Sequence, residues 1–337
     1  MQVAGLETVA DFDELPVAGF GDVVPRLFRL HRILGKLESL LAQEECIAFV
    51  GIDYPGFNMG LCRLAKKLKK PVLFAAPPQI WAWKSGRAKK LRGIPLAVLF
   101  EFERKIYAEH GCAPKLLLHP FLLHAPLYSE SRPIGTSSEH RMKLLLLPGS
   151  RESQALRNLP LFLKVASLWK NTSRRVILLA SRPALRVTLE QAAKHFFGGC
   201  IPDYLFIETA PESPEERKMF FAEAYCALAA PGTATLELAL SATPLVVATR
   251  PDFLTYVLGS VFVKAKFFAM PNILTNEPSV PEHIGLSTKK LACSILEDLE
   301  KVDSQHPIRL SRELHESIAH GHTPEYFVEN LLNGRIS

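Results

Sequence analysis

No two cysteines in this 337-residue chain are spaced as a metal or redox pair. Cys46, Cys62, Cys112, Cys200, Cys226 and Cys293 are scattered, with no C-x-x-C and no clustered histidines. That excludes a zinc ribbon and a disulfide scaffold, and it points to a reducing compartment. A long apolar run is missing too. The least charged stretch, 224–249, holds Glu237 as its only charge but includes Pro231-Gly232 and four threonines. It reads as strand, loop, helix and strand rather than as a membrane span. Met1 is followed by neither a basic nor an apolar leader segment, so no signal peptide and a cytoplasmic location are expected. Acids are absent from 63–92, which carries ten Lys/Arg (Arg63, Lys66, Lys67, Lys69, Lys70, Lys84, Arg87, Lys89, Lys90, Arg92). The formal charge is +6, so without those ten the rest of the chain sums to −4. The basicity belongs to one segment and calls for an anionic partner or a solvated face.

With 48% apolar and 22% charged residues the chain is ordinary globular protein, and its length suggests two domains. Short apolar runs at 46–51, 72–76, 96–100, 115–118, 143–147, 176–180, 204–207, 225–229 and 244–248 read as strands. Helical periodicity fills 26–42, 58–69, 152–169, 184–195 and 233–240. This alternation argues for parallel sheets covered on both faces. The polar, Pro/Gly/Ser-rich stretch 129–141 divides the pattern. Two Rossmann-like, doubly wound α/β domains are expected, 1–136 and 137–337, with the last helices free to pack back on the first domain. Such pairs take ligands in the cleft between them and at the carboxyl ends of their strands.

Four strand-end segments carry candidate chemistry. Asp53 ends the strand of Gly51-Ile52-Asp53-Tyr54-Pro55, where it either takes a proton from an attacking hydroxyl or caps the turn. Taken alone, capping is the simpler reading. Leu147-Pro148-Gly149-Ser150-Arg151 leads a strand through a tight glycine turn into a helix whose first N–H groups can hold an anion. Arg151 adds a fork donor suited to a diphosphate, or else faces solvent. Gly232-Thr233-Ala234-Thr235-Leu236-Glu237 repeats the arrangement. Glu237 there is placed to accept from ribose hydroxyls, and Thr233 otherwise serves as an N-cap. Neither segment is a G-x-G-x-x-G or G-K-[ST] loop, so dinucleotide and P-loop chemistry are not indicated. Finally, Pro77-Pro78-Gln79-Ile80-Trp81-Ala82-Trp83 sets two tryptophans beside the basic segment. They are either core packing or, in an RNA-binding reading, base-stacking platforms.

In this order and spacing, Gly51-Ile52-Asp53, Pro78-Gln79-Ile80-Trp81-Ala82-Trp83, Phe102-Glu103, His119-Pro120, Leu147-Pro148-Gly149-Ser150-Arg151, Gly232–Glu237, Arg250, Leu254-Thr255-Tyr256 and Pro271-Asn272-Ile273-Leu274 resemble the lipid-A-disaccharide synthase family. These are inverting glycosyltransferases of GT-B fold. The resemblance implies transfer of 2,3-diacylglucosamine from UDP-2,3-diacylglucosamine to 2,3-diacylglucosamine 1-phosphate, giving a β-1′,6 disaccharide and UDP with no metal or cofactor. It implies catalytic roles for Asp53, as base, Arg151 and Asn272. It assigns the donor to Gly149, Ser150, Gly232, Thr233, Thr235, Glu237 and Arg250. A homodimer is compatible with it, and nucleic acid is not expected as a partner. The family also has a strand, a Gly-Glu-x-Ser-Gly-Asp loop, a helix and a second strand ahead of the residues that open this chain, so the first domain is expected to be N-terminally incomplete. Gly56, Leu118, Pro231 and Glu277 depart from the family's residues. The alternative is therefore a catalytically impaired, UDP-binding fragment or paralogue.

Substrates with four acyl chains imply work at a bilayer, at the inner face of the inner membrane. Leu27, Leu30, Leu34, Leu37 and Leu41 form a helical stripe with Arg26, Arg29, Arg32 and Lys36 between them. Most of that stripe should be core. Val23, Val24, Leu27 and Phe28 at its start, with Gln79 and Trp81, are the candidate acceptor and membrane contacts, and the 63–92 cations would face anionic headgroups.

Overall fold

The computed structural model describes residues 7–9, 23–81, 85–123, 143–169, 175–251, 266–301 and 305–335. Two units divide the chain, Met1–His119 together with His320–Ser337, and Pro120–Ala319. The boundary expected at 136/137 lies outside the described residues.

In the first unit, helix α1 (Val23–Ala42) precedes four strands, β1 (Phe49–Ile52), β2 (Val72–Ala75), β3 (Leu96–Val98) and β4 (Lys115–Leu116). They pair in parallel in the order β1-β2-β3-β4. Helix α2 (Pro55–Lys67) and α3 (Glu101–Glu109) lie among the connections, and a short helix α4 (Pro120–Leu123) opens the second unit. Period-two alternation sorts the strands' side chains. Val72, Phe74, Leu96 and Val98 join Leu61, Leu91 and Tyr107 in one core, while Leu73, Ala75 and Ala97 face the other way. The leucine stripe of α1 turns inward as expected: Leu41 is buried, and Leu34 and Leu37 pack against the core. The side chains of Val23, Val24, Leu27 and Phe28 lie outside the described residues.

The second face of this sheet is closed by the end of the chain. Phe327 and Leu331, from the helix Pro324–Leu332, bury against Leu73, Ala75 and Ala97. Each such side chain contributes about 1.5–3 kcal/mol. The returning segment is stitched on by a parallel bridge between Leu117 and His322. Leu118 N donates to His322 O at 2.8 Å, and His322 N donates to Leu116 O at 2.9 Å.

The second unit is built on six parallel strands: β5 (Lys143–Leu147), β6 (Arg175–Ala180), β7 (Leu205–Thr209), β8 (Cys226–Ala229), β9 (Leu245–Thr249) and β10 (Glu282–Ile284). Their order is β10-β9-β8-β5-β6-β7. The chain therefore starts in the middle, winds out through β6 and β7, returns to β8 and winds out the other way. That is the doubly wound order with a reversal between β5 and β8. Burial on both faces explains the near-continuous apolar strands: Leu144, Leu145 and Leu146 of β5 and all four residues of β8 are fully buried. Helix α5 (Glu152–Leu168) packs with α6 (Pro183–Phe196) and the helix Thr288–Glu300. Helix α8 (Thr233–Leu240) packs instead with α7 (Pro214–Ala222) and the helices Met270–Thr275 and Gln305–Ile318. The nine strand segments expected from sequence correspond to β1–β9 within a few residues. The tenth is absent from that reading because Glu282, His283 and Ile284 are half-exposed and show neither an apolar run nor alternation.

Gly321 sets a limit on the bridge. Its φ is +133°, and a Cβ there would lie 2.7 Å from Leu118 N and 2.8 Å from the Leu117 carbonyl carbon, both rigid backbone. Gly321→Val is expected to detach the 320–335 segment, with a loss of several kcal/mol through the strained φ and the exposed Phe327 and Leu331. Denaturant melts and limited proteolysis of this segment check it. An unchanged midpoint with full protection would refute the role given to Gly321.

Candidate functional site

Where β5 and β8 carry the chain off in opposite directions, their connections diverge and leave a crevice at the strands' carboxyl ends. A cavity of about 230 Å³ occupies it, lined by Gly149, Ser150, Arg217, Gly232, Thr233 and Glu237 among others. Five of the seven sequence-predicted donor residues, Gly149, Ser150, Gly232, Thr233 and Glu237, thus share one pocket. Gly149 adopts φ +134°, and a Cβ there would sit 2.7 Å from the Gln154 side chain, so the turn needs glycine. Two helices start at the rim. Neither Arg151, the N-cap residue of α5, nor Gly232, that of α8, supplies a side-chain cap. Unengaged N–H groups at both starts make the crevice suited to anions. Arg151 is exposed at the first of them.

Glu237 does not stand alone. Its carboxylate accepts from Arg217 Nε, and Arg217 Nη1 also donates to Pro211 O at 2.9 Å. Without a partner, a carboxylate in an anion pocket would repel phosphate; the guanidinium cancels that charge and fixes the group's position. Sequence reasoning missed Arg217, which lies on α7 in an unremarkable Glu-Arg-Lys run, twenty residues ahead of its partner.

Thr235 and Asn272 are held by hydrogen bonds to the protein. Thr235 is fully buried; its hydroxyl donates to Gly232 O at 2.7 Å and accepts from Met270 N at 3.2 Å. Asn272 is 1% exposed. Its amide nitrogen donates to Val280 O and Glu282 Oε1, both at 2.8 Å, and its oxygen accepts from Val280 N at 2.8 Å. Glu282 Oε1 also accepts from Ala269 N at 2.8 Å. Both side chains are engaged in framing the loop beside α8. The sequence reading did not foresee these bonds to the protein's own framework. Arg250 has its Nε buried without a partner among the described residues, as a cation awaiting an anion would.

In the first unit, Asp53 follows β1 with φ +47°, and Tyr54 follows with φ +43°. Two successive non-glycine residues in the left-handed region cost about 1–3 kcal/mol each. The kink is held by Asn58, whose Nδ2 donates to Ile52 O at 3.0 Å and Asp53 O at 2.8 Å. It leaves Asp53 exposed at the carboxyl end of the sheet. Nothing in the sequence beyond its position one turn into α2 marks Asn58 for that task.

The Pro77–Trp81 segment is also anchored. Tyr107 Oη donates to Pro78 O at 2.6 Å, and Trp81 Nε1 donates to Glu103 Oε1 at 3.3 Å. The Trp81 ring meets Phe102 edge-on, centroids 5.6 Å apart. Trp81 is thus half-buried and tethered; Trp83 lies outside the described residues. Gln79 is exposed beside it. Glu103 is 4% exposed, and burial pushes its carboxyl up to about 7, opposed by its hydrogen bonds. Burial likewise lowers nearby His119 to about 4.

Three of the ten cations in 63–92 are tied to carbonyls: Lys66 Nζ to Arg92 O, Lys70 Nζ to Gln43 O and Cys46 O, and Arg92 Nε to His110 O. Arg63, Lys67, Lys69, Lys89 and Lys90 are exposed. Among the described residues no helix is long and apolar enough to cross a membrane, and no three His, Cys, Asp or Glu side chains group to hold a metal.

Two parallel-sheet α/β units with a switch-point crevice have the architecture of the GT-B fold. Solved structures agree on the fold. Arabidopsis thaliana UGT89C1 complexed with UDP superposes with a TM-score of 0.57 over 94% of this chain and 80% of that one, at 14% identity. The alpha,alpha-trehalose 6-phosphate synthase of Burkholderia multivorans gives 0.54 over 92% and 77%, at 12% identity. A family model described as lipid-A-disaccharide synthetase matches residues 1–326, and the chain belongs to that family. The lipid-A-disaccharide synthase of Coxiella burnetii strain RSA 331 is 31% identical over 288 residues, 84% of this chain and 73% of the relative. Lipid-A-disaccharide synthase 1 of Legionella pneumophila strain Paris is 28% identical over 308 residues, 87% and 76%. Matches extending through both units do not favour the alternative of an impaired donor-binding remnant.

Glu103 supplies a pH test. Its folded pKa stands above the ordinary carboxyl value of 4.5, so the folded state binds more protons than the unfolded between about pH 4.5 and 7. Stability from this group therefore falls as pH rises through that window. The melting temperature of Glu103→Gln relative to wild type should climb from pH 4.5 to 7 and level off above. A difference independent of pH would disprove the shift.

Proposed function

We propose that the chain transfers 2,3-diacylglucosamine from UDP-2,3-diacylglucosamine to 2,3-diacylglucosamine 1-phosphate, forming the β-1′,6 disaccharide and releasing UDP with inversion at the anomeric carbon. The observation that carries this reading is the family match across both units, with the paired Glu237 and the two uncapped helix starts lining one crevice.

In the proposed step the acceptor 6-hydroxyl oxygen attacks the donor's anomeric carbon, and the bond from that carbon to the diphosphate oxygen breaks with its electron pair leaving on UDP. Asp53 takes the hydroxyl proton. Its exposure and its strained backbone support the role, since strain of this kind collects at functional positions. Arg151 and Arg250, with the starts of α5 and α8, are assigned to the diphosphate charge, and Glu237 to the ribose hydroxyls. Gly149, Ser150, Gly232 and Thr233 approach the nucleotide through backbone and hydroxyl groups. Thr235 and Asn272 act as positioning residues for the Gly232–Glu237 loop. Gln79 and Trp81 remain proposed acceptor contacts, with Val23, Val24, Leu27 and Phe28 at the membrane.

Removal of a general base typically costs 10²- to 10⁴-fold. Asp53→Ala should lower turnover by at least ~100-fold in a mixed-micelle assay with both lipid substrates, while UDP affinity by calorimetry and the melting temperature stay unchanged. Retained turnover would exclude Asp53 as base.

The exposed cations support a peripheral site at an anionic membrane, at about 1 kcal/mol per residue near the surface. Flotation should show binding to vesicles rich in anionic lipid, weakened at high salt, with little binding to neutral vesicles. Replacing Arg63, Lys67, Lys69, Lys89 and Lys90 together by Gln should abolish it. Equal binding to both vesicle types would end the electrostatic reading.

A further inference from the structure

One buried amide ties together the ends of two strands in the second unit. Asn158 lies on the second turn of α5 and is fully buried. Its Nδ2 donates to Pro148 O at 2.8 Å, in the connection that follows β5. Its Oδ1 accepts from Arg250 N at 2.8 Å and from Thr249 Oγ1 at 3.2 Å, at the end of β9. β5 and β9 are not neighbours, since β8 runs between them. A single side chain thus links two loops that the sheet's own ladder does not join.

We propose that Asn158 is a positioning residue for the nucleotide sugar, holding the Gly149-Ser150-Arg151 turn and the Thr249-Arg250 strand end in one fixed relation so that Arg151 and Arg250 meet the same diphosphate. This rests on the UDP-sugar reading given above.

The chemistry leaves one orientation for the amide. A carbonyl oxygen at Pro148 only accepts and a backbone N–H at Arg250 only donates, so the NH₂ must face the first and the oxygen the second. Packing alone does not call for an amide here. Its neighbours on the helix include Ala155, Leu159, Leu161 and Phe162, all in the core, where a leucine would fill similar volume with no polar group to satisfy. Strand-end backbone groups cannot be left unpaired when buried, and a short side chain with one donor and one acceptor side answers both loops together. The orphaned Nε of Arg250 adds a second, independent sign. The residue whose backbone N–H Asn158 accepts from thus also carries a buried side-chain donor with no hydrogen-bond partner among the described residues.

An aspartate at this position makes a pH-readable test. In Asn158→Asp the ionised carboxylate keeps the bonds to Arg250 N and Thr249 Oγ1 but turns a lone pair toward Pro148 O. Protonated, its O–H donates to that oxygen and restores the original pattern. UDP affinity by calorimetry, and donor and acceptor KM with kcat, would be measured from pH 5 to 8.5 for wild type, Asn158→Asp and Thr249→Val, alongside melting temperatures. At pH 8 the aspartate variant should bind UDP roughly 10- to 100-fold more weakly and show a raised donor KM with the acceptor KM unchanged. The defect should shrink as pH falls, by more than any change in wild type. Thr249→Val should lose about 3- to 10-fold in UDP affinity with its melting temperature retained. Wild-type affinity in Asn158→Asp, or a defect equal at all pH values, would overturn the proposal. Should the aspartate variant not fold, undiminished UDP affinity in Thr249→Val would overturn it equally. If the wild-type chain itself binds no UDP, the nucleotide-sugar reading fails first and takes this one with it.

Discussion

β5 and β8 are hydrogen-bonded neighbours whose connections depart in opposite directions, one into α5 and the other into α8. The two helices pack with different partners, α5 with α6 and Thr288–Glu300, α8 with α7 and Gln305–Ile318. No loop can bridge the gap this opens, because both chains are leaving it. Two helix starts and two glycine turns are therefore exposed at one point, while the buried leucines and alanines of β5 and β8 hold the strands beneath them rigid. An anion pocket follows from topology before any charged side chain is placed.

Polar side chains then fix what topology leaves free. Asn158 joins strand ends that do not touch, Thr235 and Asn272 brace the loop beside α8, and Asn58 supports the left-handed pair Asp53-Tyr54. All four place short hydrogen-bonding groups against irregular backbone beyond the strands, Asn272 just ahead of β10 and the others past strand carboxyl ends. The same logic operates around Trp81, where Glu103 and Tyr107 hold an extended, proline-rich segment by its indole and a carbonyl. Keeping Glu103 buried has a cost, seen in its raised pKa.

What was legible in the sequence divides along physical lines. Strands buried on both faces announce themselves as apolar runs, and nine of them were readable. β10 was not, because its Glu-His-Ile has no pattern of its own and forms by pairing with β9. The glycine turns and helix starts were readable because φ restrictions and uncapped N–H groups are local properties. The bonds that tie Asn272 and Thr235 to the framework were not legible, since whether an amide meets a carbonyl at residue 280 depends on tertiary partners. Arg217 and Asn158 were invisible for the same reason: their partners lie 20 residues and 92 residues away. Nor does a count of charges show that Lys66, Lys70 and Arg92 engage carbonyls of their own unit.

Glu237 shows how a pocket built for anions can still discriminate among them. Helix starts and arginines favour any phosphate, so they supply affinity with little selectivity. A carboxylate in the same crevice disfavours a bare phosphate at that position but welcomes hydroxyl donors. Its pairing with Arg217 keeps the net field from turning repulsive and holds the acceptor oxygens in one place. On the proposed reading, a ligand must then present hydroxyls at one end and a diphosphate at the other, which is the layout of a nucleoside diphosphate sugar and not of inorganic phosphate. Selectivity in such a site comes from where the single acid stands among the cations, and in this chain a residue on a different helix determines that.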